Sequence, residues 1–110
     1  MATLSEIRAA MTGFPRTLTW GNFRTVTASP SPPHTAQASA SFTMSGWSVR
    51  LANGEYRVHG ARVTVALNSA DSWATAAART SQPLLRHEQG HYDITGLIAR
   101  DLIRSVLNLS

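Results

Sequence analysis

The pair Asn53-Gly54 lies between two stretches in which apolar and polar residues alternate. Asn-Gly favours a tight type I′ turn, whose two central residues both take positive φ, and such a turn folds two strands back on each other. Upstream, Ala36, Ala38, Ala40, Phe42 and Met44 alternate with Gln37, Ser39, Ser41 and Thr43. A period of two marks a strand with one buried side. Gly46 allows a turn, after which Trp47, Val49 and Leu51 begin a second strand. A third strand is expected from about Tyr56 to Leu67, burying Ala61, Val63, Val65 and Leu67 and turning Arg62, Thr64, Ala66 and Asn68 outward. The same register aims His59 inward.

The flanking segments read differently. Residues 1–16 predict a short helix capped by Ser5, with Ile7, Ala10 and Met11 on one face and Gly13 and Pro15 ending it. Leu18, Trp20 and Val26, with Phe23 between, suggest an extended segment or an aromatic anchor. Pro30, Pro32 and Pro33 force an extended loop over residues 28–35. Asn68 or Ser69 can cap a short helix carrying Trp73 and Ala76 to Ala78. Ser81 caps a long helix from Gln82 to about Leu107, with Pro83 tolerated in its first turn and Gly90 and Gly96 as weak points. The fold class is α+β: an antiparallel sheet of about three or four strands packed on a long C-terminal helix, in one domain over residues 1–110.

Composition narrows the chemistry. The chain has no cysteine, so a metal here must be held by imidazole and carboxylate. All ten basic residues are arginine and the formal charge is +4. They are scattered from Arg8 to Arg104 without a dense run, which argues against a nucleic-acid partner. No apolar run approaches the roughly 18 residues that cross a bilayer. The start, Met1 to Glu6, lacks the order of a secretory signal, so the location is open and reads as cytoplasmic unless a signal was removed. The oligomeric state is not set by the sequence.

The chemistry concentrates in His87-Glu88-Gln89-Gly90-His91. Residues four apart on a helix share a face, so both imidazoles can reach one ion. Glu88 lies about 100° around the helix from His87, beside the metal rather than on it. This is the zincin arrangement, with Zn2+ as cofactor: two histidines, a third protein ligand and a water. The ion lowers the pKa of that water from about 16 towards roughly 7, and Glu88 takes the proton. Leu84, Ile94 and Ile98 predict that this helix face is buried, and a buried His-Glu-His cluster needs a partner such as a metal.

The run Leu84-Leu85-Arg86-His87-Glu88-Gln89-Gly90-His91-Tyr92-Asp93-Ile94, followed by Ala99-Arg100, resembles a bacterial family of uncharacterised proteins described as predicted zinc-dependent proteases. The signature helix of that family reads Leu-Leu, then His-Glu-Gln-Gly-His-Phe-Asp-Ile, then Ala-Arg. Weaker echoes are Leu18-Thr19-Trp20-Gly21-Asn22-Phe23 and Ser72-Trp73, so the resemblance spans about residues 18–105. It implies a zincin-class fold and activity and supplies no substrate. Tyr92 replaces the usual phenylalanine, and Gly96 stands where many members carry glutamate.

The third metal ligand is not supplied by the helix. No glutamate follows His91, and the positions for the metzincin glycine and third histidine hold Ile94 and Leu97. Asp93 faces away, and Asp101 is about 15 Å further along the axis than His91. His59 is the first upstream candidate, His34 in the proline loop the next, and Asp71 and Glu55 follow; a water or substrate group remains an alternative. Trp20, Trp47 and Trp73 read as core anchors. Asp93 pairs with Arg100 or Gln89, or orients a ligand histidine. Arg86 and Arg100 read as solvated, or as holding a substrate carboxylate. The leading function is a zinc-dependent hydrolase, a metallopeptidase acting on a peptide or protein substrate through a zinc-bound water activated by Glu88. The alternative is a zinc-binding or degenerate non-catalytic domain that binds a protein partner.

Overall fold

A computed structural model describes residues 1–109, without the side chains of Trp47, Val49, Tyr56, Arg57 and Val58. The expected anchor Trp47 and the strand face of Val49 therefore lie outside the described residues. The chain is α+β, and its elements follow from local chemistry. Thr3 opens helix α1 (Leu4–Ala9): its hydroxyl accepts from the Glu6 N–H, and the Glu6 carboxylate accepts from the Thr3 N–H. This reciprocal capping box needs an acid three residues after the cap, which Thr3 has and Ser5 lacks. Ser81 caps α2 (Gln82–Leu107), accepting from the Leu84 N–H at 3.2 Å with a proline in the first turn.

The strands are β1 (Met11–Thr12), β2 (Arg24–Val26), β3 (Ala36–Gln37), β4 (Ala40–Arg50), β5 (Tyr56–Leu67) and β6 (Trp73–Thr75), and short 3-10 turns lie at Trp20–Asn22 and Ala78–Thr80. β4 and β5 pair antiparallel from Ala40 opposite Leu67 to Arg50 opposite Tyr56. Gly46 is not a turn. It marks a bulge, a register shift between Ser45 and Trp47, so one long strand replaces the two expected. The reversal at Asn53-Gly54 is present, closed by the Gly54 N–H on the Leu51 carbonyl at 3.0 Å. It is not type I′, because Gly54 takes positive φ and Asn53 does not.

β1 joins the other edge of β5 in parallel, giving the order β1-β5-β4. A second small sheet has the order β2-β6-β3, parallel between β2 and β6 and antiparallel between β3 and β6. Of the short helix expected to carry Trp73 and Ala76 to Ala78, only a 3-10 turn at Ala78–Thr80 forms, and the segment around Trp73 is not helical. It is a central strand, because the pairing of Arg24 with Trp73 and of Ala36 with Ala74 supplies hydrogen bonds that local propensity cannot anticipate.

α2 lies across the first sheet and buries Glu88, Tyr92, Gly96, Ala99 and Ile103. Beneath it sit Ala61, Val63 and Val65 of β5, in the expected register. Two glycines allow this contact. Gly13 takes φ +85°, and a Cβ there would fall 1.9 Å from the Val65 carbonyl oxygen. The same Gly13 carbonyl accepts from the Tyr92 hydroxyl at 2.5 Å. A Cβ on Gly96 would fall 2.1 Å from the Phe14 ring. α2 runs antiparallel to β5. Tyr92 is level with Val65, whose carbonyl is 3.4 Å from its hydroxyl, and Asn108 accepts from the Ala2 N–H beside α1. Among the described residues no helix is long and apolar enough to cross a membrane.

Candidate metal centre

α2 sets the geometry of the histidine pair. One helical turn separates His87 from His91, and their ring centroids stand 4.6 Å apart at 57°. Two imidazoles on a tetrahedral zinc at about 2.0–2.1 Å per nitrogen would place their centroids roughly 5 Å apart, so the pair fits a shared ion. Glu88, between them in sequence, turns inward and is 3% exposed. Its Oε1 accepts from the Ala38 N–H at 2.9 Å and lies 3.8 Å from Nδ1 of His91. Among the described residues no arginine pairs with it. A buried carboxylate with one neutral donor is poorly compensated, and a cation beside the two rings would supply the missing charge.

The three residues border a pocket of about 390 Å³, whose other walls are His34, Ala36, Gln37 and Ala38. The proline loop thus delivers His34 to the same pocket. Its Ser31 carbonyl accepts from the His34 N–H at 3.0 Å, and Ser29 Oγ donates to the His34 carbonyl. Even so, among the described residues no three of His, Asp and Glu stand close enough to hold one ion together.

His59 is elsewhere. Strand alternation correctly turns it from solvent, and it is half-buried opposite Trp47 in the ribbon. But it is six residues from Val65, or about 20 Å along the strand at 3.3 Å per residue. Because α2 runs antiparallel, that displacement carries it towards the C-terminal end of the helix, away from His87. His59 as third ligand is therefore corrected: facing the right way across a sheet does not fix position along it. Asp71 accepts from the Asn68 side chain at 2.8 Å in the turn after β5, and Glu55 lies in the hairpin loop; neither lines the pocket.

The histidine face is also more open than its neighbours predict. The His91 side chain is 53% exposed, and Ile94 and Ile98 are 58% and 55% exposed. A three-stranded sheet covers only one flank of a long helix, and that flank runs through Glu88 and Tyr92. The apolar residues on the histidine stripe therefore face outward rather than into the core.

Around the site, Gln89 ties α2 to the preceding chain. Its Oε1 accepts from the Leu18 N–H at 2.7 Å, and its Nε2 donates to the Arg16 carbonyl at 2.8 Å and to Asp93 at 2.9 Å. Asp93 thus pairs with Gln89 rather than Arg100. Tyr92 is a fully buried packing and hydrogen-bonding residue. Trp20 and Trp73 are core residues, as expected. Sequence reading missed Ala38, whose contribution is a backbone N–H that no side-chain motif signals. Comparisons with family models, curated proteins and solved structures find no match for this chain.

Proposed function

We propose that this chain is a zinc-dependent hydrolase of peptide or amide bonds, with His87 and His91 as metal ligands and Glu88 as general base. The observation that carries the reading is the buried Glu88 carboxylate set against an open imidazole pair at the mouth of a pocket. A zinc ion held by the two rings supplies Lewis acidity towards a carbonyl oxygen. Glu88 takes a proton from water in the attack and returns it to the departing amine. The Ala38 N–H holds one carboxylate oxygen in place, which leaves the other for that proton. Ala36 to Ala38 border the pocket, and β3 and β4 are edge strands, so an extended peptide can add to the sheet there. His34 stands on the wall of the same pocket, where His59 does not, but is not close enough to the pair to share an ion, so a water or a substrate group completes the coordination.

The test is a Glu88→Gln variant assayed with wild type on denatured protein substrates. The variant is expected to retain zinc and lose cleavage by about 10²-fold or more. Wild type that holds zinc stoichiometrically but cleaves no better than this variant would contradict a hydrolase. One observation favours the second reading, a zinc-holding domain that binds a protein partner: Ile94, Leu97, Ile98 and Leu102 are all exposed on α2 next to the histidines.

A further inference from the structure

A cavity of about 500 Å³ lies on the flank of α2 opposite the histidines, lined by Leu4, Ile7, Met11, Phe14 and Pro15 and by the guanidinium-bearing Arg8 and Arg100. Arg100 is nine residues from His91, half a turn around the helix, so the cavity is separate from the candidate metal centre. Its size suits a small organic ligand, and its walls are apolar apart from the two arginines.

The charge balance is one-sided. The chain has six Asp and Glu residues, and none of them lines the cavity. Glu6 is engaged in the α1 capping box, Glu88 with Ala38, Asp93 with Gln89, Asp71 with Asn68 and Asp101 with Arg104, while Glu55 lies in the hairpin loop. Arg8 and Arg100 make no ion pair among the described residues. Two uncompensated guanidiniums beside a greasy hollow complement a molecule with an anionic head and an aliphatic tail. Arginine's planar fork matches a carboxylate in particular.

We infer that this cavity binds a free fatty acid of medium chain length, its tail against Ile7, Met11 and Phe14 and its carboxylate between Arg8 and Arg100. The two arginines come from α1 and α2, so an occupied cavity bridges the two helices.

The experiment titrates decanoate into the full chain below its micellar concentration, by calorimetry and by amide chemical shifts. Decanol and acetate serve as controls lacking head charge or tail. The inference expects saturable one-site binding, with shifts centred on residues 4–15 and around Arg100. Decanol and acetate should each bind at least tenfold more weakly. Arg100→Gln and, separately, the exposed-site variant Arg8→Gln should weaken decanoate at least tenfold without changing the circular dichroism spectrum. Absence of saturable binding, equal binding of decanol, or unchanged affinity in both variants overturns it. Zinc content is measured on the same samples, so failure here leaves the metal reading standing.

Discussion

At the scale of single residues, three histidines test how the site is held and one glycine tests the packing of its helix. His87→Ala or His91→Ala should each abolish stoichiometric zinc, because one imidazole on an open face cannot retain the ion. His34→Ala should lower zinc affinity by about 10- to 100-fold if the proline loop supplies a close supporting group; an unchanged affinity in calorimetry removes His34 from the site. The glycine is Gly96, on the buried face of α2. The resemblance leads one to expect glutamate there, and the Phe14 ring against it shows why a side chain is excluded in this chain. Gly96→Ala should destabilise the fold by about 1–3 kcal/mol in urea unfolding. The loss should shrink when Phe14 is also cut to alanine, since contacting residues couple. Equal losses in both backgrounds would show that Phe14 is not the obstacle.

At the scale of elements, the long helix and the hairpin were legible because each carries its own local signal. Ser81, Pro83 and the 3.6-residue rhythm set the start and course of α2. Ser81→Ala should accordingly cost about 1 kcal/mol, and a thermal-melt shift near zero would mean the cap is not limiting. Val63 and Val65 face inward as period two requires. What stayed hidden was long-range. The β6 strand depends on partners roughly 40 to 50 residues upstream, and its alanine-rich neighbourhood mimics a helix. His59 was placed on the correct side of its strand but at the wrong end of the molecule. The apolar Ile94 and Ile98 misled because periodicity shows that a helix has a greasy stripe, not which of two stripes meets the sheet.

At the scale of the whole molecule, the chain measures 60 × 23 × 19 Å, with a Cα radius of gyration of 17.8 Å. A compact chain of this length would have about 13 Å. The elongation reflects the β4–β5 ribbon, since β1 pairs only with Val63 and Thr64 and leaves the stretch towards Arg50 and Tyr56 two-stranded. Small-angle scattering on the monomer should give a value near 18 Å; one near 13 Å would mean the ribbon folds back on the body. The exposed row Ile94, Leu97, Ile98 and Leu102 makes little contribution to the core, so Ile94→Ser with Ile98→Ser should change stability by less than about 0.5 kcal/mol. The proposed hydrolase function depends on an ion shared by two rings one helical turn apart. X-ray absorption at the zinc edge, on protein reconstituted with one equivalent of zinc, tests that directly. The predicted spectrum shows at least two imidazole nitrogens at about 2.0–2.1 Å, lost in His87→Ala. A chain that retains no zinc after desalting, or whose zinc spectrum is the same with and without His87, contradicts it.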